Sequence, residues 1–496
     1  MARDERRKEF ESKLDASLSR AVPGYQSLVS ARRLSGGASQ ETYRLEIRTA
    51  HGARTLAMRR AAGGIDTSGA IPGPGLTTEA ELFRIARAAG VPEPEVHHVF
   101  SAEEGLGPGF VMEWLDGETV GARILRDPAL EQIRPRLAFQ CGEILARIHG
   151  IDTAAAGLGG KLKTVSTEQY VKQVWDGYRA FGADMPMIDY TARWLLDHLP
   201  PESEPRLVHN DFRNGNLMVT PQGIVAVLDW ELAHLGDPVR DLGWICTRSW
   251  RFGRHELAVG GFGRLEELLD GYESVSGRRV DTEHVRFWEV FGSFWWASMS
   301  LTMAVVWREG PDRTVERPAV ARRSSECQVD CVNLIIPGPV ELLDEETVPS
   351  SVSMPRVDEL LVSVREFLRE DARKALEGRN AFMALVASNS LDIVHRELTL
   401  GPAHLRAEHE RLKALFESEE ALEDLRSRLS KGLREGTIEL ESPGLAEHLR
   451  ATAANQLAID QPRYAGLAVA LAAGEVSQAG TTQTHDTQTH DREENR

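Results

Sequence analysis

The chain has 496 residues and a formal net charge of −17, too long for one ordinary domain and long enough for two or three sizeable cores. The acidic balance argues against nucleic acid as a primary partner, because following a phosphate backbone requires clustered Lys and Arg. Four cysteines make a poor disulfide framework, and the start Met1-Ala-Arg-Asp-Glu-Arg-Arg-Lys-Glu9 has no apolar segment of a secretion signal, so the expectation is a cytoplasmic protein.

In chain order, residues 1–24 read as a charged amphipathic helix. Three strand patterns follow at Val29–Leu34, Thr42–Ile47 and Arg54–Arg59. Between the first two lies Leu34-Ser-Gly-Gly-Ala-Ser-Gln-Glu-Thr-Tyr43, where Gly36 and Gly37 allow close backbone approach and Ser39 offers a hydroxyl to a phosphate oxygen. In Leu56-Ala57-Met58-Arg59, strand alternation puts Ala57 and Arg59 on one face. A helix is expected at Thr77–Ala89, with Glu79 and its rival Glu81 as candidate partners for Arg59. A strand pair then ends at Met112-Glu113-Trp114-Leu115. From about residue 130 to 330 the pattern is mostly helical. The longest apolar run, Phe291–Trp307, is interrupted by Gly, Ser and Thr, and reads as a buried helix rather than a membrane span. Cys327 and Cys331 are four apart without a second Cys or His pair, so no zinc site is expected. A Pro- and Ser-rich linker spans 337–355. Helical stripes from Val357 to Leu433 form what looks like an independent bundle over 356–475, and the tail 476–496, with His485 and His490 in a Thr-Gln-Thr-His-Asp repeat, reads as polar low complexity.

The informative motif is Leu207-Val-His-Asn-Asp-Phe-Arg-Asn-Gly-Asn-Leu-Met-Val219, followed by Ile224-Val-Ala-Val-Leu-Asp-Trp230. It has the His-x-Asp-x-x-x-x-Asn spacing of a kinase catalytic loop. Leu217–Thr220 and Ile224–Leu228 flank Pro221-Gln-Gly223 and predict a hairpin. Pairing across that turn brings Asn216 and Asp229 to roughly 5–8 Å at Cβ, close enough to share a metal. An amide and one carboxylate suit Mg²⁺, which combines few protein ligands with substrate phosphates.

These residues resemble the aminoglycoside phosphotransferase-like branch of the protein-kinase fold over about residues 25–330. The resemblance implies an α+β, bilobal fold: a β-rich small lobe over 25–115 and a helical large lobe over 116–336, here followed by the all-α bundle. It implies an ATP- and Mg²⁺-dependent phosphotransferase with Asp211 as base, His209 orienting it, and Asn216 and Asp229 as metal ligands. Gly36, Gly37, Ser39, Arg59 and Glu79 would hold the nucleotide phosphates, and Met112, Glu113 and Leu115 the adenine. In that family the second acidic motif braces the catalytic loop, so Asp241, and with it Asp237, is expected to be structural and helix-capping rather than a metal ligand. Three departures stand out: Arg59 replaces the usual Lys, Asn210 the usual Gly, and Asp229-Trp230-Glu231 the Asp-Phe-Gly of protein kinases.

The acceptor should be set by the large lobe. Arg213, Arg248, Trp250 and Arg251 lie in a stretch rich in arginine and aromatic residues, better suited to a phosphate-bearing substrate with a planar base than to a polycationic antibiotic. The motifs also look like the phosphotransferases associated with acyl-CoA dehydrogenases, which implies a hydroxyacyl-CoA acceptor and a possible protein partner, such as an acyl-CoA dehydrogenase, for the bundle. An antibiotic or sugar kinase is the alternative. A catalytically silent scaffold is the alternative of another class.

Overall fold

The computed structural model describes residues 2–34, 40–62, 73–310, 312–348 and 354–482. Gly36, Gly37 and Ser39 of the predicted phosphate loop lie outside the described residues, as do His485 and His490. The chain forms two compact units, Met1–Thr167 with Pro200–Glu289, and Glu168–Leu199 with Val290–Arg496.

The first unit begins with a helix, Ala2–Ala21, and a five-stranded antiparallel sheet: β1 (Tyr25–Arg33), β2 (Gln40–Thr49), β3 (Gly52–Ala61), β4 (Val96–Val99) and β5 (Gly109–Glu113), in the order β1-β2-β3-β5-β4. Alternation decides its faces. Tyr43, Leu45 and Ile47 of β2 and Leu56 and Met58 of β3 join Leu14 and Leu18 of the first helix in one buried cluster. Arg60 faces that side too, lying 4.1 Å over the Phe10 ring and 2.8 Å from Glu41. Ala57 and Arg59 therefore point the other way, toward the helix Gly75–Ala88. Gly109 is required where β5 meets β3, since a Cβ there would sit 2.5 Å from the Arg59 carbonyl oxygen.

The rest of this unit carries the predicted hairpin, β7 (Leu217–Thr220) with β8 (Gly223–Val227), and a second pair, β6 (Arg206–Val208) with β9 (His234–Gly236). Gly223, at φ 137°, makes the turn possible. The helices Leu137–His149 and Leu265–Ser276 cross almost backbone to backbone. A Cβ on Gly142 would lie 2.1 Å from the Leu268 oxygen, and one on Gly271 2.1 Å from the Phe139 oxygen.

The second unit is helical, and it corrects the independent bundle. Leu422–Glu435 packs on Pro186–Asp197, and Leu445–Asp460 on Ser324–Ile335. Arg434 donates to the fully buried Asp189 at 2.9 Å, where Trp175 also donates at 2.7 Å. The core thus draws on chain from well before residue 356, because the apolar faces of Pro186–Asp197 and Ser324–Ile335 need a partner. The helix Val357–Glu366 forms, but its stripe does not pack as the periodicity predicts: Val357, Leu360 and Val364 each stay more than half exposed. Cys327 and Cys331 are buried free thiols. Thr282–Glu309 is long and apolar enough to cross a membrane by length and composition, but Phe287, Trp288, Phe291 and Phe294 are buried in the folded chain.

Candidate active site

The hairpin register places the two ends of the motif side by side. Leu217 pairs with Val227, and the Leu228 N–H donates to the Asn216 carbonyl at 2.8 Å, so Asn216 sits one residue from Asp229 across the ladder. Asp229 adopts a left-handed conformation, φ 72° and ψ 66°.

Asp211 is held by three donors. Trp244 Nε1 and Arg213 Nε donate to Oδ1 at 2.9 and 3.0 Å, and Asn216 Nδ2 donates to Oδ2 at 2.5 Å. A second bond from Asn216 Nδ2 to the Asp211 carbonyl, at 3.0 Å, fixes the amide. Its nitrogen is thereby occupied, which leaves the amide oxygen as the atom of this side chain that could hold a cation. Sequence reasoning missed Trp244, which sits one turn into a helix, Val239–Cys246, whose amphipathic pattern alone reads as core.

His209 is fully buried, and its ring links two loops. Nδ1 accepts from the Asp211 N–H at 3.2 Å, which makes Nε2 the protonated nitrogen, donating to the Leu228 carbonyl at 3.1 Å. Burial, against the pull of Asp241, Asp211 and Asp229, lowers its pKa from the ordinary value. A neutral imidazole bonded at both nitrogens orients the loop and has no proton position open for catalysis. Asp241 braces the same loop from below. Its carboxylate accepts from the His209 and Asn210 N–H groups at 2.8 and 2.7 Å and contacts His149 Nε2 at 3.1 Å. Burial works against that charge, but His149 and the backbone donors outweigh it and hold the pKa below the usual value. Asp241 braces the loop as the resemblance implies, but by accepting from His209 and Asn210 rather than by capping a helix. Asp237 does cap, accepting from the Val239 N–H at 3.0 Å.

Arg59 ties the small lobe to this centre. It lies 2.6 Å from Glu79 and 2.9 Å from Asp229, and donates twice to Gln40 Oε1 at 3.1 and 2.7 Å. Burial pushes the Glu79 carboxyl upward, yet contact with a guanidinium that does not deprotonate keeps the pair ionic. Glu81, the rival, pairs instead with Lys161 at 2.6 Å. Gln40 and Glu231 are further members that the sequence did not single out: Gln40 Nε2 lies 3.5 Å from Glu79 and 3.4 Å from Glu231. Burial, and then the neighbouring Asp229, raise the Glu231 pKa to about 7. Trp230 locks the strand end, donating to the buried Glu93 at 3.0 Å and packing 4.6 Å from the His209 ring. Of the adenine candidates, Met112 pairs with Ala57 across β3 and β5, Glu113 N–H donates to Glu95 at 2.8 Å, and Leu115 follows the strand end.

The arginine-rich stretch is only partly available. Arg251 is 6% exposed; it donates to the carbonyls of Cys246 and His255 and meets Glu289 at 2.6 Å. The expectation that it contacts substrate is corrected, because its guanidinium is consumed in holding its own loop. Arg240 is likewise buried, 4.3 Å over Trp244. Arg213, which lies 4.4 Å over the Trp250 ring, remains beside Asp211, and Arg248 is half-buried one turn away.

The comparisons agree with this geometry. Residues 30–278, half of the chain, match the phosphotransferase enzyme family, and residues 374–464 match a domain of unknown function, DUF6285. Acyl-CoA dehydrogenase family member 10 of Mus musculus is 35% identical over 33% of this chain and 16% of its own length. Family member 11 of Gallus gallus is 31% identical over 58% of this chain and 38% of its own. The chain thus spans less than half the length of these relatives. A crystal structure from Ralstonia eutropha assigned as an aminoglycoside phosphotransferase is 22% identical, covers 64% of this chain and 95% of its own, and has a TM-score of 0.52, which establishes the fold. The chain belongs to the phosphotransferase enzyme family.

Proposed function

We propose that the protein transfers the γ-phosphoryl group of ATP to an alcohol of a small molecule, most specifically the hydroxyl of a hydroxyacyl-CoA. The observation that carries the phosphotransfer is the Asp211 carboxylate, fixed by Trp244, Arg213 and Asn216 beside Asp229. Asp211 accepts the hydroxyl proton as the oxygen attacks the γ-phosphorus and ADP departs. His209 and Asp241 keep the loop in place. Arg59 positions the triphosphate. Asn216 and Asp229 fit Mg²⁺ by donor chemistry, an amide oxygen and a carboxylate with Glu231 close by. Bound there, the ion would neutralise charge on the phosphate oxygens. Catalysis in this class is mainly positioning and charge stabilisation, which suits a loop so heavily braced.

Two features support the CoA thioester. The relatives carry acyl-CoA dehydrogenase names, and Arg213 with Trp250 offers a cation and an aromatic face next to the base. The test is ADP release with a panel of hydroxyacyl-CoA thioesters, aminoglycosides and simple sugars. Turnover on a thioester that Asp211→Asn abolishes is expected. Turnover confined to aminoglycosides would overturn the acceptor, and unchanged turnover in both Asp211→Asn and Asp229→Ala would overturn the mechanism.

A further inference from the structure

The second unit contains a cavity of about 520 Å³, within the range of small-molecule sites. It shares no residue with the phosphotransfer centre. Helices from Pro186–Asp197 through Leu445–Asp460 enclose it. Its apolar wall includes Met185, Met187, Leu301 and Leu449, and its polar side presents His404 and His448.

Both histidines are buried, at 4% and 2% exposure. Neither nitrogen of His448, nor Nδ1 of His404, has a hydrogen-bond partner among the described residues. The nearest carboxylate to His404 Nε2 is Glu408, 4.0 Å away, and Glu408 is already held by Arg426 through two bonds of 2.8 and 2.6 Å. Buried polar atoms are almost always satisfied, so three orphaned nitrogens on one cavity wall call for a partner. Burial lowers both pKa values, that of His448 to about 4. A neutral imidazole offers one donor and one acceptor, so its partner must do both.

The charges define the ligand further. Four carboxylates line the cavity, Asp184, Glu397, Glu408 and Asp460, against two guanidiniums, Arg322 and Arg426. Each carboxylate already meets an arginine: Asp184 meets Arg434, Glu408 meets Arg426, and Asp460 and Glu397 meet Arg322. Among the described residues that line the cavity, neither guanidinium is without a carboxylate, and carboxylates outnumber guanidiniums four to two, which disfavours an anion. Among the same residues every carboxylate already meets an arginine, which disfavours a cation.

We propose that this cavity is a second small-molecule site, taking an uncharged ligand with an apolar body and an alcohol or amide group that donates to and accepts from His404 and His448. The inference does not rest on the identity of the phosphoryl acceptor. It is tested on the full chain with three probes of equal length, octanamide, octanoate and octylammonium, by calorimetry and by the methyl signals of Met185 and Met187. Octanamide is expected to bind and shift both methyls, with octanoate and octylammonium at least about tenfold weaker. His448→Phe keeps the ring volume and removes both nitrogens, and should weaken octanamide by about tenfold. Ala304→Trp, on the partly exposed wall, should block it and serves if His448→Phe does not fold. Failure of octanamide to bind at millimolar concentration would overturn the site. Binding unchanged in both variants would place it elsewhere, and a charged probe that binds as well as the amide would overturn the ligand class.

Discussion

Replacing Asp241 tests how the catalytic loop is held. Its carboxylate, fully buried, accepts two backbone N–H groups, from His209 and Asn210, and contacts His149. Asn210 is left-handed at φ 67°, a conformation that a non-glycine residue adopts at a cost and keeps only when its surroundings hold it. In Asp241→Ala both N–H groups lose their acceptor inside the protein, at about 1–3 kcal/mol each, or roughly 2–6 kcal/mol in all. That is a large part of the 5–15 kcal/mol or so that stabilises a domain. Asp241→Asn keeps one acceptor but turns an NH₂ toward the other N–H, so about half of that loss remains. The assay is denaturant unfolding of the full chain followed by tryptophan fluorescence, alongside steady-state ADP release. Both variants should unfold earlier, and Asp241→Asn should lose turnover with little change in KM for ATP, because the defect lies in the Asp211 loop. The sign with pH follows from the lowered pKa. The folded carboxyl titrates below the ordinary 3.8, so its contribution is present above that value and is lost as pH falls through the folded pKa. Asp241→Asn should accordingly flatten the acid limb of the stability curve below about pH 4. An Asp241→Asn protein as stable and as active as the parent would refute the reasoning.

Arg59→Lys keeps the charge but cannot reach Glu79, Asp229 and Gln40 together, so KM for ATP should rise by about tenfold in steady-state assays. Gly271→Ala drives a Cβ to 2.1 Å from the Phe139 oxygen and should lower stability by about 1–3 kcal/mol in thermal or denaturant unfolding without touching KM for ATP. Arg251→Ala removes the ion pair to Glu289 and the bonds to the Cys246 and His255 carbonyls and should cost about 3 kcal/mol of stability, whereas Trp250→Ala should raise KM for the acceptor at nearly unchanged stability; the reverse pattern would return Arg251 to the acceptor site.

The hairpin and its motif could be read directly because they are local. Two β-rich runs across a Pro-Gln-Gly turn predict a hairpin that brings Asn216 near Asp229, and the structure reaches that pairing through a one-residue shift between Met218 and Val219. The alternation of β3 likewise separated Arg59 from Arg60 without reference to the fold. The choice of Glu79 over Glu81 came from the family register, since both face a helix and either could reach a cation; the structure settles it by burial, with Glu79 inside and Glu81 on the surface beside Lys161.

Other features depend on contacts between distant segments, which periodicity does not encode. Arg248 and Arg251 look alike in the sequence, and only the fold turns Arg251 inward onto Glu289. Trp244 reads as core until the loop places Asp211 against its indole N–H. The stripe Val357–Phe367 has helical spacing and lies against Gly378–Thr399, yet Val357, Leu360, Val364 and Phe367 stay exposed, whereas later helices pack against Pro186–Asp197 and Ser324–Ile335. Sequence alone put Asn216 next to Asp229, because spacing along a hairpin fixes their proximity. Tertiary structure decided which charges remain available for chemistry, because burial and pairing are set by whatever segment arrives from elsewhere in the chain.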